Sequence, residues 1–225
     1  MALFRANTER MVIKYFDELF STTNPNEDDM EEAIEGLTRR VSDEMKRALN
    51  AKPIAEEVFG VLKEMHPTKA PGSDGLHAIF YKKCWEIVGN DVISFIKKAW
   101  NGEIDLHRVN ETNIVLVPKV KDPKRLSHYR TISLCNVSYK ILSKMIANRL
   151  KLFLPSLISQ QQIAFVPRQL ITDNVLVAFE IFHYTKRKTK GRKGVCAIKL
   201  DMSKAYDRVE WAFLARIMVR IGFDQ

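Results

Sequence analysis

Apolar side chains recur at helical spacing along most of this chain, interrupted by two short strand-like stretches. The first 50 residues read as a polar helical lead-in, with the acidic run Glu27-Asp-Asp-Met-Glu-Glu32 and no glycine before Gly36. Ile54, Val58, Val61, Leu62 and Met65 fall at i, i+4, i+7, i+8 and i+11, one apolar stripe that predicts a helix from Ile54 to about Met65. His66-Pro67 ends it, because a residue before proline is pushed out of the α region. Lys69-Ala-Pro-Gly-Ser-Asp-Gly75 packs one proline, two glycines and two capping side chains together, which predicts a turn leading into a helix at Leu76. Two more helices are expected, divided at Gly89-Asn90.

Residues 112–117 are β-branched and aliphatic and are stopped by Pro118, so they predict a short strand delivering Lys119 at its end. A basic loop from Lys119 to Arg130 leads to Ile132-Ser-Leu-Cys135. Ile141, Leu142, Met145, Ile146, Leu150 and Phe153 then predict a helix over about 137–154, closed by Pro155. Thr172-Asp173 can cap another, running to about Lys186. It meets a charged turn at 186–193 with six basic residues in eight, readable as an exposed hairpin, a nucleic-acid contact or a nuclear-import signal. Val195-Cys-Ala-Ile-Lys-Leu-Asp201 alternates like a strand and ends on an aspartate. A last helix begins near Tyr206.

The composition, 225 residues with 46% apolar and 28% charged, gives enough apolar surface for a sizeable core and excludes wholesale disorder. Nine glycines and eight prolines without a repeat exclude collagen-like and solenoid architectures. No apolar run approaches the ~20 residues a bilayer demands and Met1-Ala-Leu-Phe-Arg lacks a signal-peptide core, so no membrane partner is expected and an intracellular location, nuclear or cytoplasmic, is. Cys84, Cys135 and Cys196 have neither CxxC nor metal-ligand spacing and are expected to be buried apolar thiols. The five histidines likewise show no ligand spacing. The net charge of +9 is localised: residues 1–50 sum to −4 and residues 101–200 to +12. Such a block suits a polyanionic partner, whose counterions it would release, or forms a solvated basic face; charge alone leaves both open.

An ionised carboxylate at the end of a buried strand is costly unless positive charge faces it. Asp201 is therefore a candidate ligand for a hard cation such as Mg2+, and equally a candidate helix cap. Its segment, Leu200-Asp-Met-Ser-Lys-Ala-Tyr-Asp-Arg-Val209, resembles the first catalytic motif of reverse transcriptases of LINE-type (non-LTR) retrotransposons, of the kind abundant in plants. Lys69-Ala-Pro-Gly-Ser-Asp-Gly75, Ile114-Val-Leu-Val-Pro-Lys119, Tyr129-Arg-Thr-Ile-Ser-Leu134, Gln162-Ile-Ala-Phe-Val-Pro167 and Ile171-Thr-Asp-Asn174 extend the resemblance upstream in the family's order, over roughly residues 54–225.

The resemblance implies an α+β, helix-rich, truncated right-hand polymerase fold: a lead-in at 1–50, fingers at 51–194 and the opening of the palm at 195–225. It implies RNA-directed DNA polymerisation on an RNA template with a DNA primer and dNTPs, by two-metal phosphoryl transfer. Asp201 would be the catalytic carboxylate holding two Mg2+ ions, with the Met202 carbonyl as a further ligand. Tyr206 would stack under the sugar and exclude a 2′-hydroxyl. Lys119 and Arg130 would clasp the triphosphate. Lys69, Gly72 and Gly75 would lie near template, where exposed amides of the turn could meet phosphates, and Lys121, Lys124 and Arg125 would join them in binding nucleic acid.

The chain departs from the family at three places, the third spanning two residues. Ser73 and Thr131 stand where proline is usual and loosen their turns, with consequences for placing Arg130, and Arg168-Gln169 replaces Gly-Arg. The family's second catalytic motif, an aromatic-x-Asp-Asp turn, has no counterpart; Asp28-Asp29 lies in the acidic lead-in. Two Mg2+ ions bring +4 charge against one carboxylate, so this chain alone is expected to be inactive, and either marginally stable or open-edged at its last strand. Two other readings are a non-catalytic RNA-binding module using residues 101–200, and a helical interaction protein or inert remnant of a decayed element.

Overall fold

The computed structural model describes residues 2–22, 24–107, 109–159, 162, 166, 170–188, 196, 198, 200 and 204–224, with the side chains of all of these but 2–7 and 171. In chain order the elements are α1 (Ala2–Phe20), α2 (Glu27–Ile34), α3 (Asp43–Leu49), α4 (Ala55–Glu64), α5 (Ala78–Lys83), α6 (Trp85–Trp100), β1 (Asn113–Pro118), β2 (Tyr129–Leu134), α7 (Val137–Lys151), α8 (Leu154–Leu157), α9 (Ile171–Arg187), α10 (Ala205–Arg208) and α11 (Trp211–Ile221). The described chain is helix-rich with one two-stranded antiparallel sheet. It divides into two compact units, Arg47–Leu150 and Met1–Lys46 with Lys151–Gln225.

In the first of these units the predicted stripe on α4 is buried: Val58, Val61 and Leu62 meet Ala78 and Tyr81 of α5, Val92 and Ile96 of α6, and Val137, Ile141, Leu142 and Met145 of α7. Each fully buried side chain of this size contributes about 1.5–3 kcal/mol, so four short helices share one core that none could form alone. Ile54, the first residue of the predicted stripe, is instead the N-cap and 58% exposed. The helix expected at Leu76 starts at Ala78. The helix break expected at Gly89-Asn90 falls at Cys84, and Gly89 lies inside α6. A Cβ on Gly89 would meet the Trp85 ring at 2.9 Å, so the glycine makes room for an indole one turn back. That indole stacks on Phe59 with ring centroids 4.7 Å apart. Arg149 near the end of α7 grips the Glu57 carboxylate in a fork, with Nε and Nη2 at 2.7 and 2.6 Å from its two oxygens. Its Nη1 donates to the carbonyls of Leu49 and Ala51, and the guanidinium lies 4.6 Å from the Trp100 ring centre.

The second unit begins with the helices of the lead-in. The acidic run forms the first turn of α2, where Glu27, Asp28 and Asp29 complement the helix dipole and Asn26 caps the Asp28 N–H at 3.3 Å. On α11, Gly222 adopts φ +107 and closes the helix: the Gly222 N–H reaches Val219 O at 3.0 Å and the Phe223 N–H reaches Met218 O at 2.9 Å. The two sequence-distant parts are stitched by main-chain bonds from Arg40 and Val41 to Ile221 O, at 2.8 and 3.0 Å, and by the ion pairs Arg216–Glu27 and Lys46–Asp224. Pro155 opens α8 rather than merely closing α7, as suits a residue with no N–H to give. α9 begins after Leu170, whose N–H is taken by Asp173 at 3.4 Å, so Asp173 caps from inside the first turn and Thr172 lies within the helix. Val175, Leu176, Phe179 and Phe182 on this helix are 60–69% exposed.

The strand expected at 195–201 falls mostly outside the described residues; Cys196, Ile198 and Leu200, which are described, are exposed and carry no strand pairing. The run 189–193 and Arg168-Gln169 also lie outside them. Cys84 and Cys135 are half-buried and Cys196 is exposed, so the expected burial of all three thiols is not found. Cys84 occupies the α5–α6 break, and Cys135 follows the last residue of β2, where its sulfur accepts from the Thr112 hydroxyl at 3.6 Å. No described helix is long and apolar enough to cross a membrane.

Candidate nucleotide and template face

The strand expected before Pro118 is one arm of a hairpin whose other arm, β2, the sequence reading leaves as the end of a loop. Asn113 pairs with Leu134 and, at the far end, Val117 with Arg130 and Pro118 with Tyr129. The ladder runs one step further, as Lys119 N–H donates to His128 O at 2.8 Å. Residues opposite one another share a face and alternate residues along a strand do too, so Lys119, Val117 and Arg130 stand on one side of the hairpin. Lys119 and Arg130 are then diagonal neighbours, about 7–8 Å apart at the backbone. Both are exposed. Val115, Val117 and Ile132 lie on that face with 42%, 38% and 46% exposure. An apolar strip ending in two cations can take a flat ring along its length and anionic oxygens at its tip.

Thr131 takes its place in the ladder opposite Leu116, so strand pairing holds Arg130 and the absence of proline there does not unsettle it. The hairpin loop carries Lys121, Lys124 and Arg125, all exposed. Lys124 faces Asp122 at 3.5 Å, a solvated pair of little energetic weight, and its N–H is accepted by His128 Nδ1 at 3.3 Å. His128, to which the sequence reading gives no role, thus folds the loop back.

The turn at 69–75 is anchored by Asn136, the buried polar residue among the described ones, at 7% exposure. Its Oδ1 accepts from Asp74 N–H at 3.2 Å and Ser73 Oγ at 3.4 Å, while its Nδ2 donates to Val109 O at 3.3 Å. One side chain therefore joins the turn, the approach to β1 and the exit from β2. Gly72 presses against this junction so closely that a Cβ would come within 2.6 Å of the Cys135 and Asn136 backbone. Gly75 has φ +71. Of the turn amides expected to be exposed, two are used internally, Asp74 N–H by Asn136 and Gly75 N–H by Gly72 O at 3.2 Å, and just beyond the turn Leu76 N–H is used by Asp74 Oδ1 at 3.0 Å. They shape the turn and are not directed at a ligand. Lys69 is exposed beside it. The sequence signal that could have found Asn136 is its position as a side-chain cap between the end of a strand-like run and the apolar helix that starts at Val137.

Beyond the hairpin unit, Tyr206 lies on α10 with 79% of its surface exposed. Asp201 and Met202 lie outside the described residues. Among the described residues no three His, Cys, Asp or Glu side chains gather round a cation position, so these residues do not compose a metal site. Lys204, three positions after Asp201, has φ +54 and directs its ammonium at the rings of Tyr15 and Phe16, 5.0 and 5.3 Å from their centres.

Residues 117–225 match the family described as reverse transcriptase (RNA-dependent DNA polymerase). The chain is 31% identical over 210 residues to the transposon TX1 uncharacterized 149 kDa protein of Xenopus laevis, covering 93% of this chain and 16% of that protein. It is 25% identical over 183 residues to the retrovirus-related Pol polyprotein from type-1 retrotransposable element R2 of Popillia japonica, covering 77% of this chain and 23% of that one. The chain thus spans less than a quarter of the length of these relatives. The matched stretch opens on Val117 and takes in the two cations of the hairpin face, and this chain accordingly carries reverse transcriptase sequence of the non-LTR retrotransposon type.

Proposed function

We propose that the chain supplies the fingers, over 51–194, and the opening of the palm, over 195–225, of an RNA-directed DNA polymerase, preceded by a helical lead-in at 1–50. The observation that carries this reading is the hairpin register, in which Lys119 and Arg130 share a face with Val117 between them. There the Arg130 fork and the Lys119 ammonium would bind phosphate oxygens of a dNTP, while the strip Val115, Val117 and Ile132 borders its base or sugar. Lys121, Lys124 and Arg125 would track the backbone of template and primer, and the turn with Gly72 and Gly75 would hold Lys69 at the template.

Tyr206 is proposed to meet the sugar. The family works with divalent metal ions; in this reading Asp201, with the Met202 carbonyl, would hold Mg2+, which when bound would neutralise charge on the transferring phosphates. Because only one such carboxylate is identified, the 225-residue chain by itself is proposed to be inactive in polymerisation.

The test is photocrosslinking of a labelled dNTP to the 225-residue chain in Mg2+. Arg130→Ala and Lys119→Ala should each reduce labelling about tenfold or more, since a charge-assisted hydrogen bond contributes roughly 1.5–3 kcal/mol. Labelling unaffected by both substitutions would refute the assignment. RNA binding without any dNTP labelling would move the function to a non-catalytic RNA-binding module. A primed RNA template incubated with dNTPs and Mg2+ should show no extension, and extension lost in Asp201→Asn would overturn the inactivity.

A further inference from the structure

Three unfavourable features meet at Lys204, in the unit made of Met1–Lys46 and Lys151–Gln225. Its backbone is left-handed at φ +54, which is costly for a residue with a Cβ. It is the N-cap of α10, its carbonyl accepting from Asp207 N–H at 3.0 Å, yet its side chain makes no cap bond. An ammonium has no acceptor to offer the first turn and stands at the positive end of the helix. Among the described residues, its Nζ is buried without a hydrogen-bond partner. Such strain persists where the surroundings impose it. Here they are two rings of α1: Tyr15 and Phe16 stand edge to face with centroids 5.2 Å apart, and Lys204 Nζ lies 5.0 and 5.3 Å from their centres. Both residues are half-buried, and Phe16 stacks in turn on Phe20 at 5.8 Å. The rings give a desolvated ammonium the attraction that no oxygen among the described residues supplies.

We infer that Lys204, seated on Tyr15 and Phe16, is a positioning residue for sugar selection. α10 has four residues and no side-chain cap, too little to hold its own shape. The seat fixes the start of α10 from outside, and with it the direction in which Tyr206, two residues after Lys204, presents its ring. The lead-in helix thereby governs the ring proposed to exclude a 2′-hydroxyl. The role in sugar selection rests on the polymerase reading of Tyr206; the seat itself does not. Tyr15 and Phe16 lie outside every motif of the sequence.

Two measurements on the full 225-residue chain test it. The first is limited acetylation by an N-hydroxysuccinimide ester with peptide mass mapping. Lys204 should react about tenfold more slowly than exposed Lys151, and Tyr15→Leu with Phe16→Leu should remove that protection. The second is photocrosslinking of labelled dATP against ATP in Mg2+. The parent chain should favour dATP, and Tyr206→Ala should abolish the preference. Lys204→Gly relieves the left-handed backbone and so keeps the fold, but it loses the seat. It should cut the dATP to ATP labelling ratio about fivefold, the factor a cation–π contact contributes, whereas a lysine with a structural role alone would leave the ratio unchanged. The Tyr15 and Phe16 double variant should do the same, and combining it with Lys204→Gly should add nothing further. Lys204→Arg, which keeps a cation over the rings, should retain most of the ratio. An unprotected Lys204, or a ratio unchanged in Lys204→Gly but abolished in Tyr206→Ala, overturns the inference and leaves the polymerase reading standing. A parent chain without preference for dATP, or a preference that survives Tyr206→Ala, overturns the role of Tyr206 and this inference with it, while a protected Lys204 leaves the seat intact.

Discussion

Gly72→Ala is the smallest change that tests how the turn is held. The added Cβ would stand 2.1 Å from Asn136 Oδ1, 2.4 Å from Asn136 N and 2.6 Å from the Cys135 carbonyl carbon. Ordinary contact begins near 3.4 Å, and two of the three neighbours are backbone that no rotamer change can move aside. The turn must therefore retreat by about 1 Å, which breaks the already long bonds of Asp74 N–H and Ser73 Oγ to Asn136, 3.2 and 3.4 Å. Overpacking costs about 1–3 kcal/mol and each hydrogen bond about 1 kcal/mol, so the substitution should destabilise the unit by roughly 3–5 kcal/mol. That is a large share of the ~5–15 kcal/mol a domain has. Urea unfolding followed by tryptophan fluorescence, with Trp85 and Trp100 in this unit, gives the measurement. Gly60→Ala is the matched control: it makes the same chemical change inside α4 with nothing within 4 Å, and should stabilise by about 0.5–1 kcal/mol. If Gly72→Ala lies within about 0.5 kcal/mol of the parent, or if Asn136→Ala restores it fully despite the backbone contacts, the packing argument is refuted.

Arg149→Ala should cost about 3 kcal/mol, because it leaves Glu57 without its fork in a pair only 12% and 24% exposed, and Arg149→Lys should recover only part; urea midpoints decide both. Burial, and secondarily the Asp74 carboxylate, raise the Tyr81 phenol above its ordinary pKa of 10.0. The unfolded chain then loses this proton first, so the stabilisation is whole below pH 10 and declines as pH rises through the higher folded value. Denaturation midpoints taken from pH 9 to 11 should fall less steeply in Tyr81→Phe than in the parent chain. Gly222→Ala should cost at least about 1–2 kcal/mol through its left-handed backbone, read as a lowered melting temperature, and more because the new Cβ stands 2.9 Å from Cγ of Arg39, whose guanidinium is tied to Asp43.

The core of the Arg47–Leu150 unit was legible because α4 and α7 bury one stripe at a 3.6-residue period, so Val58, Leu62, Ile141 and Met145 could be placed before any coordinates. The hairpin was half legible. β1 carries four consecutive aliphatic residues, but β2 alternates Tyr129, Thr131 and Ser133 with Arg130 and Ile132, a pattern that turns into a strand only when its partner is known. The break at Cys84 was missed because the usual rule reads Gly89 as punctuation, whereas tertiary packing uses it as space for Trp85. Asn136 and Arg149 were missed for a related reason: their partners at Asp74, Val109 and Glu57 are far away in sequence, and local periodicity carries no information about such pairs. Lys119 and Arg130 were singled out together by the family resemblance alone, and the strand register sets them on one face of the hairpin.

The unit that contains α2 and α11 is discontinuous in sequence: the Arg40 and Val41 amides bond to Ile221 O although residues 47–150 of the chain between them belong to the other unit. Closing that loop of about 180 residues costs roughly 4–5 kcal/mol of chain entropy. Prior collapse of the intervening Arg47–Leu150 unit removes most of that cost, so it should fold first. During synthesis at roughly 5–20 residues per second, the stretch bearing Val41 waits on the order of 10–35 s for Ile221 to be made. For that interval the apolar side of the newborn amino-terminal helices is bare on the ribosome, and a chaperone has its opportunity there.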